Sequence, residues 1–534
     1  MGGPIPPAPT GRGREHYLEP VSAVAQTEAA PARGTPAQRR ATARALADRP
    51  WAWALALAVP LSAAYLVWSP PAADLAAAIY RSELFAHAGY VLKDSGWYAA
   101  HPHYVVGYSL LSPPLGALIG VRLLMVLSVL FACGLFGLIA ERVFGARGAG
   151  RAAALVFAFG MCAELLSGRV PYDLGLAIGL GAVLAAMSGQ FAATLVLAAL
   201  TSLASPVAGA FLAMALLAWG AAAWLTQRRA GACAEDRDVE EYDRDAVAER
   251  SAHHAPRARD EVTGERARPL TPERAVLGAA VALAPIAIMS ITFPEGGYEP
   301  FALSAFWPAC AGVVAIALLL PRERLGERAY LAVRIGAWMY ALALAASYAI
   351  HTPMGGNAAR LGPELAPALL TGVLWERRRL ALALLAPLLV YWQINTPIGD
   401  ESEIYGQKSV HAAYYAPVLG ALRARTHGAP AIVEVPLTAA HMEAAYVADH
   451  DGIKLARGWD RQLDTRYDAL FYRPRLSPAA YRAWLSENRV AYVALPDAKP
   501  DYAAETEVAL IERGVPYLRE IWRSAHWRLF RVIQ

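Results

Sequence analysis

The sequence predicts a polytopic α-helical membrane protein with a small α/β domain at its C-terminal end, and three observations carry that prediction. Of its 534 residues 56 % are hydrophobic and only 18 % charged, with a mean hydropathy of +0.30, a balance too apolar for disorder or for an ordinary soluble enzyme. Uncharged apolar stretches near the roughly 20 residues that cross a bilayer recur along residues 51–394. Beyond 395 the pattern changes to short β-rich runs between helical segments. The 49 Lys and Arg against 45 Asp and Glu leave a charge of +4, which cytoplasmic loops absorb, and no basic aromatic stripe points to nucleic acid. Cys133, Cys162, Cys233 and Cys310 form no CxxC pair, so neither a disulfide frame nor a zinc site is indicated.

Residues 1–50, rich in Pro, Ala and Arg and without apolar periodicity, read as a disordered basic tail. The first span opens at Trp51 and runs to about Trp68; the long stretch ahead of it argues for an anchor over a cleaved signal peptide. Further spans are predicted at 121–140, 152–167, 171–187, 191–205, 206–226, 274–292, 303–320, 329–349, 363–375 and 379–394, eleven in all. Lys and Arg set the orientation. The Arg residues before the first span, Arg142, Arg147 and Arg151, those between 228 and 274, Arg322, Arg324 and Arg328, and Arg377, Arg378 and Arg379 fall on one side. The connections on the other side carry Arg81, Lys93, Arg169 and Arg360. The tail is therefore expected to be cytoplasmic, and an odd number of spans sends 395–534 outside. The insertion at 228–273 mixes acids and bases with few apolar residues and reads as a disordered cytoplasmic linker. Its His253-His254 pair lacks the further ligands that a metal site needs.

In the C-terminal region Ala431–Val435 and Ala491–Leu495 read as strands. Helices are expected around 439–448, 478–487 and 502–513, and strands at about 517–523 and 527–533 flank a turn at Ser524-Ala525-His526. With no GxSxG, GxGxxG or P-loop, this extracytoplasmic α/β domain reads as a recognition or scaffolding unit.

Ionisable groups crowd the outer side, and in a membrane protein such groups mark function. The first outer connection, 69–108, is the longest and holds Asp74, Arg81, Glu83, His87, Asp94, His101 and His103 among aromatic residues. Its first half reads as a helix with Asp74 as N-cap and Gly89 as its end. Arg81 and Phe85 lie above Asp74, with Tyr80, Glu83 and His87 on the opposite side. The chain passes through Gly96-Trp97-Tyr98 and restarts as a helix at Ser112-Pro113-Pro114.

This succession of a span, an outer Asp, an amphipathic helix, Gly-Trp-Tyr and a Pro-Pro-Leu helix start resembles the first outer loop of the membrane glycosyltransferases of the GT-C fold. The resemblance implies a GT-C-like membrane half, an added outer domain, a polyprenyl-phosphate sugar donor in the cell envelope, and an acidic catalytic base in this loop, here Asp74. Many members carry a paired acidic motif at that place, whereas Asp74 is followed by Leu75. The implied reaction is an inverting hexosyl or pentosyl transfer to an envelope acceptor.

Around that reaction Glu83, Asp94, His101 and His103 are candidate substrate-binding residues. Two further outer connections add groups suited to phosphate: Arg169 and Asp173 at a tight turn, and His351, Asn357 and Arg360 around a Gly-Gly turn. Arginine forks bind phosphate bidentately, which makes Arg169 and Arg360 candidates for the donor phosphate. The plainer alternatives are an Arg169–Asp173 bridge, an Arg360 reaching to lipid headgroups, a Glu83–His87 surface pair, and a turn role for Glu295. No metal-ligand spacing is present, and a divalent metal is the one cofactor left open. The bilayer is the expected partner; oligomeric state is not legible. The rival function is a transporter or a non-enzymatic envelope protein. Transport predicts broken helices and repeat symmetry, whereas Gly160, Gly175, Gly179 and Gly181 read as packing positions.

Overall fold

The computed structural model of the chain describes residues 2–3, 48–104, 107–248, 270–322 and 325–533, with side chains at 231–248 and 319 outside the description. Most of the predicted tail, the rest of the 228–273 insertion and the His253-His254 pair lie outside the described residues, as does the side chain of Cys233. Eleven long helices occupy the places expected of the spans: α1 Pro50–Trp68, α4 Val121–Phe144, α5 Ala149–Glu164, α6 Val170–Met187, α7 Phe191–Ala204, α8 Pro206–Ala248, α9 Pro272–Thr292, α10 Leu303–Leu319, α11 Gly326–Ala349, α12 Leu361–Leu374 and α13 Arg379–Ile404. Between α1 and α4 lie α2 (Leu75–Ala88), the two-residue strands β1 (Lys93–Asp94) and β2 (His103–Tyr104), and α3 (Ser112–Ile119).

Local chemistry sets these bounds. Gly89 ends α2 at φ +68, a conformation open to glycine. Proline lies in the first turn of α6 (Pro171) and opens α8 (Pro206) without a wasted N–H, and Thr271 caps α9 by accepting the Arg274 N–H at 3.4 Å. Small residues then let the helices close up. A Cβ on Gly175 would stand 2.8 Å from the Cβ atoms of Ser205 and Ala208, and Gly137 packs on the Trp51 backbone.

Among the described residues seven helices are long and apolar enough to cross a membrane: α1, α4, α6, α8 as far as Ala230, α9, α11 and α13. Two shorter apolar helices cover Phe191–Ala204 and Leu303–Leu318. The chain is thus multi-pass, but α5 and α12, with 16 and 14 residues, fall short: fourteen residues rise about 21 Å against a hydrocarbon core of about 30 Å. At one end of the bundle Arg49 pairs with Glu141, Phe144 packs on Gly372, and Arg229 pairs with Glu327 at 2.6 Å. At the other end gather residues 69–120, 165–169, 293–302 and 350–360. Successive long helices therefore alternate in direction.

Two boundaries differ from the sequence reading. The predicted linker begins as helix, since α8 continues to Ala248; between Gly231 and Pro256 the chain has no glycine or proline to stop it. The last long helix runs past 394 to Ile404, which brings Asp400 to its end.

The C-terminal domain opens with α14 (Ala412–Thr426) and contains β3 (Ala431–Glu434), α15 (Glu443–Tyr446), β4 (Ile453–Leu455), α16 (Arg461–Tyr467), α17 (Pro478–Glu487), β5 (Tyr492–Pro496), α18 (Glu505–Arg513), β6 (Leu518–Arg523) and β7 (Trp527–Val532). The sheet order is β4-β3-β5-β7-β6, with β4, β3 and β5 parallel and β6–β7 a hairpin. The long loop joins this domain edge to edge: the Leu455 N–H donates to the Gly96 carbonyl (2.8 Å) and the Ala99 N–H to the Leu455 carbonyl (3.0 Å). Trp97, fully buried, donates its indole N–H to the Ala444 carbonyl at 2.8 Å.

Under the sheet, buried Arg457 donates Nε and Nη2 to Asp464 (3.0 and 2.8 Å) and Nη1 to Glu507 (3.2 Å). Glu434 and Asp468 are buried within its electrostatic reach. Burial, only partly offset by Arg457, pushes Glu507 up to about 7, and burial beside Glu507 raises Glu434 well above the usual carboxylate range. Both acids hold protons more tightly folded than unfolded. Their contribution to stability is therefore present at low pH and is lost as pH rises through about 7. Thermal unfolding of the detergent-solubilised protein should occur at a lower temperature at pH 8 than at pH 6, with the gap reduced in Glu434→Gln. Equal midpoints in the parent protein would count against a shared buried proton.

Candidate functional site

The residues meet where the bundle ends. Gly168, at φ +77, turns the chain between α5 and α6 and packs on Ala72 and Leu75, so Arg169 is delivered against the start of α2. Its guanidinium donates to three carboxylates: Nε to Asp74 at 3.3 Å, Nη1 to Glu164 at 2.6 Å and Nη2 to Asp400 at 3.3 Å. Ser167 also donates to Asp400, at 2.9 Å. Arg360, at the end of a 3-10 turn over Gly355–Arg360, brings Nη2 to 4.0 Å from the same Asp74 oxygen and lies over the Tyr172 ring. Two cations thus face three carboxylates. The Asp74 and Asp400 side chains keep 30 % and 36 % exposure against 14 % for Arg169 and 8 % for Glu164, so Asp74 and Asp400 form the open face and Arg169 with Glu164 the floor.

Asp74 makes no side-chain cap bond, and its backbone is already helical. The capping reading is replaced by ion pairing, since a cap contributes only about 1 kcal/mol. Arg169 pairs with Asp74, Glu164 and Asp400, not with Asp173. Asp173 is fully buried in the first turn of α6, and neither oxygen has a hydrogen-bond partner among the described residues.

Other predicted residues stand apart from this cluster. Glu83 is exposed, and the His87 ring meets its backbone carbonyl at 2.8 Å, so the expected side-chain pair is replaced by a helix-backbone contact. Asp94 is buried at the end of β1, accepting from the Tyr80 hydroxyl (2.6 Å) and the Gly96 N–H (3.1 Å). His101 stacks on Tyr467 at 4.7 Å. His103 is buried between Trp97 and Tyr98, and burial lowers its pKa. His351 lies against Tyr298, and Asn357 sits in the turn that carries Arg360. Glu295 accepts the Tyr104 N–H, so in place of the expected turn role it ties the 293–302 connection to the long loop.

Two groups escaped the sequence reading. Asp400 lies beyond the apolar run of its helix, and Glu299 sits in the 293–302 connection, where attention fell on Glu295. Ionisable residues at span ends are the signal that marks them. Among the described residues no group of three His, Cys, Asp or Glu is placed to hold a metal ion.

Beside Arg360 opens an apolar cavity of about 330 Å³ between α6, α8, α11 and α12. It runs from Gly362 and Tyr340 at the loop end, past Leu176 and Phe211, to Trp219 and Leu270 at the other.

No family model and no curated protein matches the chain. Among solved structures it is similar to the arabinofuranosyltransferase AftD from Mycobacteria, with 15 % identity, a TM-score of 0.49 and coverage of 91 % of this chain. The chain spans 41 % of the length of that enzyme. It is also similar to the Archaeoglobus fulgidus oligosaccharyltransferase tethered to an acceptor peptide (13 % identity, TM-score 0.43, 90 % of this chain and 74 % of that one). A third likeness is to the oligosaccharyltransferase AglB of Archaeoglobus fulgidus in complex with an inhibitory peptide and a dolichol-phosphate (12 %, 0.44, 83 % and 69 %). The names are those of glycosyl-transferring enzymes, the class that the sequence resembles.

Proposed function

We propose that the chain is a membrane glycosyltransferase of the GT-C kind, moving a sugar from a lipid-linked phosphate to an acceptor hydroxyl at the extracytoplasmic face. The observation that carries this reading is the Asp74 carboxylate paired with both Arg169 and Arg360 at the end of the bundle, with an apolar cavity whose lining begins at Leu361, the residue after Arg360. A polyprenyl phosphate supplies both halves of what that arrangement would bind: an anion for the arginine forks and an isoprenoid chain for the cavity.

The pairing supports an order of events. Asp74 and a donor phosphate are alternative anions for the same two arginines. A donor phosphate competes for the same guanidinium groups, and Asp74 is then free to take the proton of the acceptor hydroxyl as that oxygen attacks the anomeric carbon. The bond from carbon to phosphate oxygen breaks, its electrons leave with the phosphate, and the arginines stabilise that charge. A single displacement inverts the anomeric centre. Transfer of a radiolabelled sugar from polyprenyl-phosphate donors by purified protein tests the reading; no turnover with any lipid-linked sugar would favour the non-enzymatic rival.

Two further outcomes are expected. Arg360→Lys keeps the charge but loses the fork, so donor KM should rise less than in Arg360→Ala; equal effects would remove the fork from the account. Alkaline phosphatase fused after Gln534 should be active, with the Arg-rich end of the bundle in the cytoplasm. An inactive fusion in well-expressed protein would reverse the orientation.

A further inference from the structure

The 293–302 connection is stitched to three neighbours. Glu295 accepts the Tyr104 N–H of the long loop. The Tyr298 carbonyl accepts the Thr465 hydroxyl of the C-terminal domain at 2.8 Å, and the Glu299 N–H donates to the Thr352 carbonyl at 3.0 Å. Gly297, at φ +79, lies against the Gln462 backbone, and Gly355 lies against that of Glu299. With its backbone pinned on all sides, the half-buried Glu299 has only its carboxyl left to act, and that carboxyl makes no hydrogen bond or ion pair among the described residues.

Its charged surroundings come from both halves of the molecule. Asp74 and Arg360 face it from the bundle end, and Asp460, Arg461 and Tyr502 from the C-terminal domain. His351 flanks the loop through its contact with Tyr298. The Arg461 fork is already taken by Asp501, at 3.0 and 2.8 Å, and Arg360 is turned to Asp74. Glu299 is therefore an unspent carboxyl at the seam between the base and the domain, where an acceptor would arrive.

We propose that Glu299 is the acceptor-binding carboxylate of this site, taking a hydrogen bond from a hydroxyl of a neutral, polyhydroxylated acceptor such as a sugar chain. The proposal rests on the transfer reading above and deepens it on the acceptor side. A carboxylate here would repel an anionic acceptor, whereas hydroxyl groups donate well to it, and the exposed Tyr502 ring, which carries Arg461 over one face at 4.6 Å, leaves its other face for a sugar. Burial, with Asp74 and Asp460 adding to it and Arg461 and Arg360 offsetting it, pushes Glu299 up to about 7. Acceptor binding is then strongest above that pH and weakens as the carboxyl gains a proton below it.

Kinetics of Glu299→Gln against the parent, with methyl glycosides of neutral hexoses and pentoses as acceptors, tests this. Acceptor KM should rise by about 10- to 100-fold, the scale of losing a hydrogen bond to a charged group, with donor KM and kcat little changed. The parent's acceptor KM should climb as pH falls below about 7, and the variant's should not. An unchanged acceptor KM, or a loss confined to kcat, overturns the assignment. Saturation-transfer NMR with the same glycosides and no donor separates this from the transfer reading. Binding present in the parent and lost in Glu299→Gln supports the proposal even if no donor turns over. Binding absent from both proteins, or equal in both, refutes it.

Discussion

Asp74→Asn is expected to reduce transfer from a polyprenyl-phosphate sugar by about 10² or more, the scale of losing a positioned acid or base. The substitution is nearly isosteric and sacrifices no helix cap, because Asp74 makes none. Its amide oxygen still meets Arg169, and Glu164 and Asp400 still neutralise that guanidinium at 2.6 and 3.3 Å. Folding and membrane insertion should therefore survive, and size-exclusion and thermal profiles should match the parent's. Turnover close to the parent's would move the base to another carboxylate, with Glu299 the nearest in function.

The second large effect is on stability. Arg457→Met leaves Asp464 and Glu507 without the guanidinium they share, in a pocket where Glu434 and Asp468 are also buried. Breaking a buried ion pair from one side costs about 3–5 kcal/mol, a large share of what a typical domain holds in reserve. The C-terminal domain should become protease-sensitive while the membrane helices remain protected. A loss below about 1 kcal/mol would mean that the acids take up protons and repack, so that the arginine is dispensable.

How far the sequence foretold this architecture depends on the range of the forces involved. Apolar runs are local, so the helices of residues 51–394 lie near the places their runs predict, whereas α14, whose 15 residues mix apolar and polar side chains, is not among the predicted helices. The bound at 394 failed because the polar Asn395 and Thr396 and then Pro397 end the apolar pattern, while the helix itself continues through Pro397 to Ile404. Strand β4 is only Ile453–Leu455, too short to show a period. The helix expected over 439–448 shrinks to Glu443–Tyr446 because His441 takes φ +53 and Glu443 turns back to bind both the N–H and the hydroxyl of Thr438.

At the site, Asp74, Arg169 and Arg360 were legible as chemistry, being ionisable groups on connections of one face. Their convergence on a single carboxylate oxygen is tertiary, and so are the parts played by Asp400 and Glu299. Asp94 and His103 show the opposite error: both are buried in the loop's own packing against the domain.

On the proposed reading a lipid phosphate displaces Asp74 from its arginines, and a cryo-EM map of the protein in nanodiscs with a polyprenyl phosphate tests this most directly. Phosphate density is expected within hydrogen-bond reach of Arg169 and Arg360, with the Asp74 carboxylate turned away from both and the lipid chain entering the cavity past Gly362 and Tyr340. Phosphate bound elsewhere, with Asp74 still paired to Arg169 and the cavity empty, would contradict it.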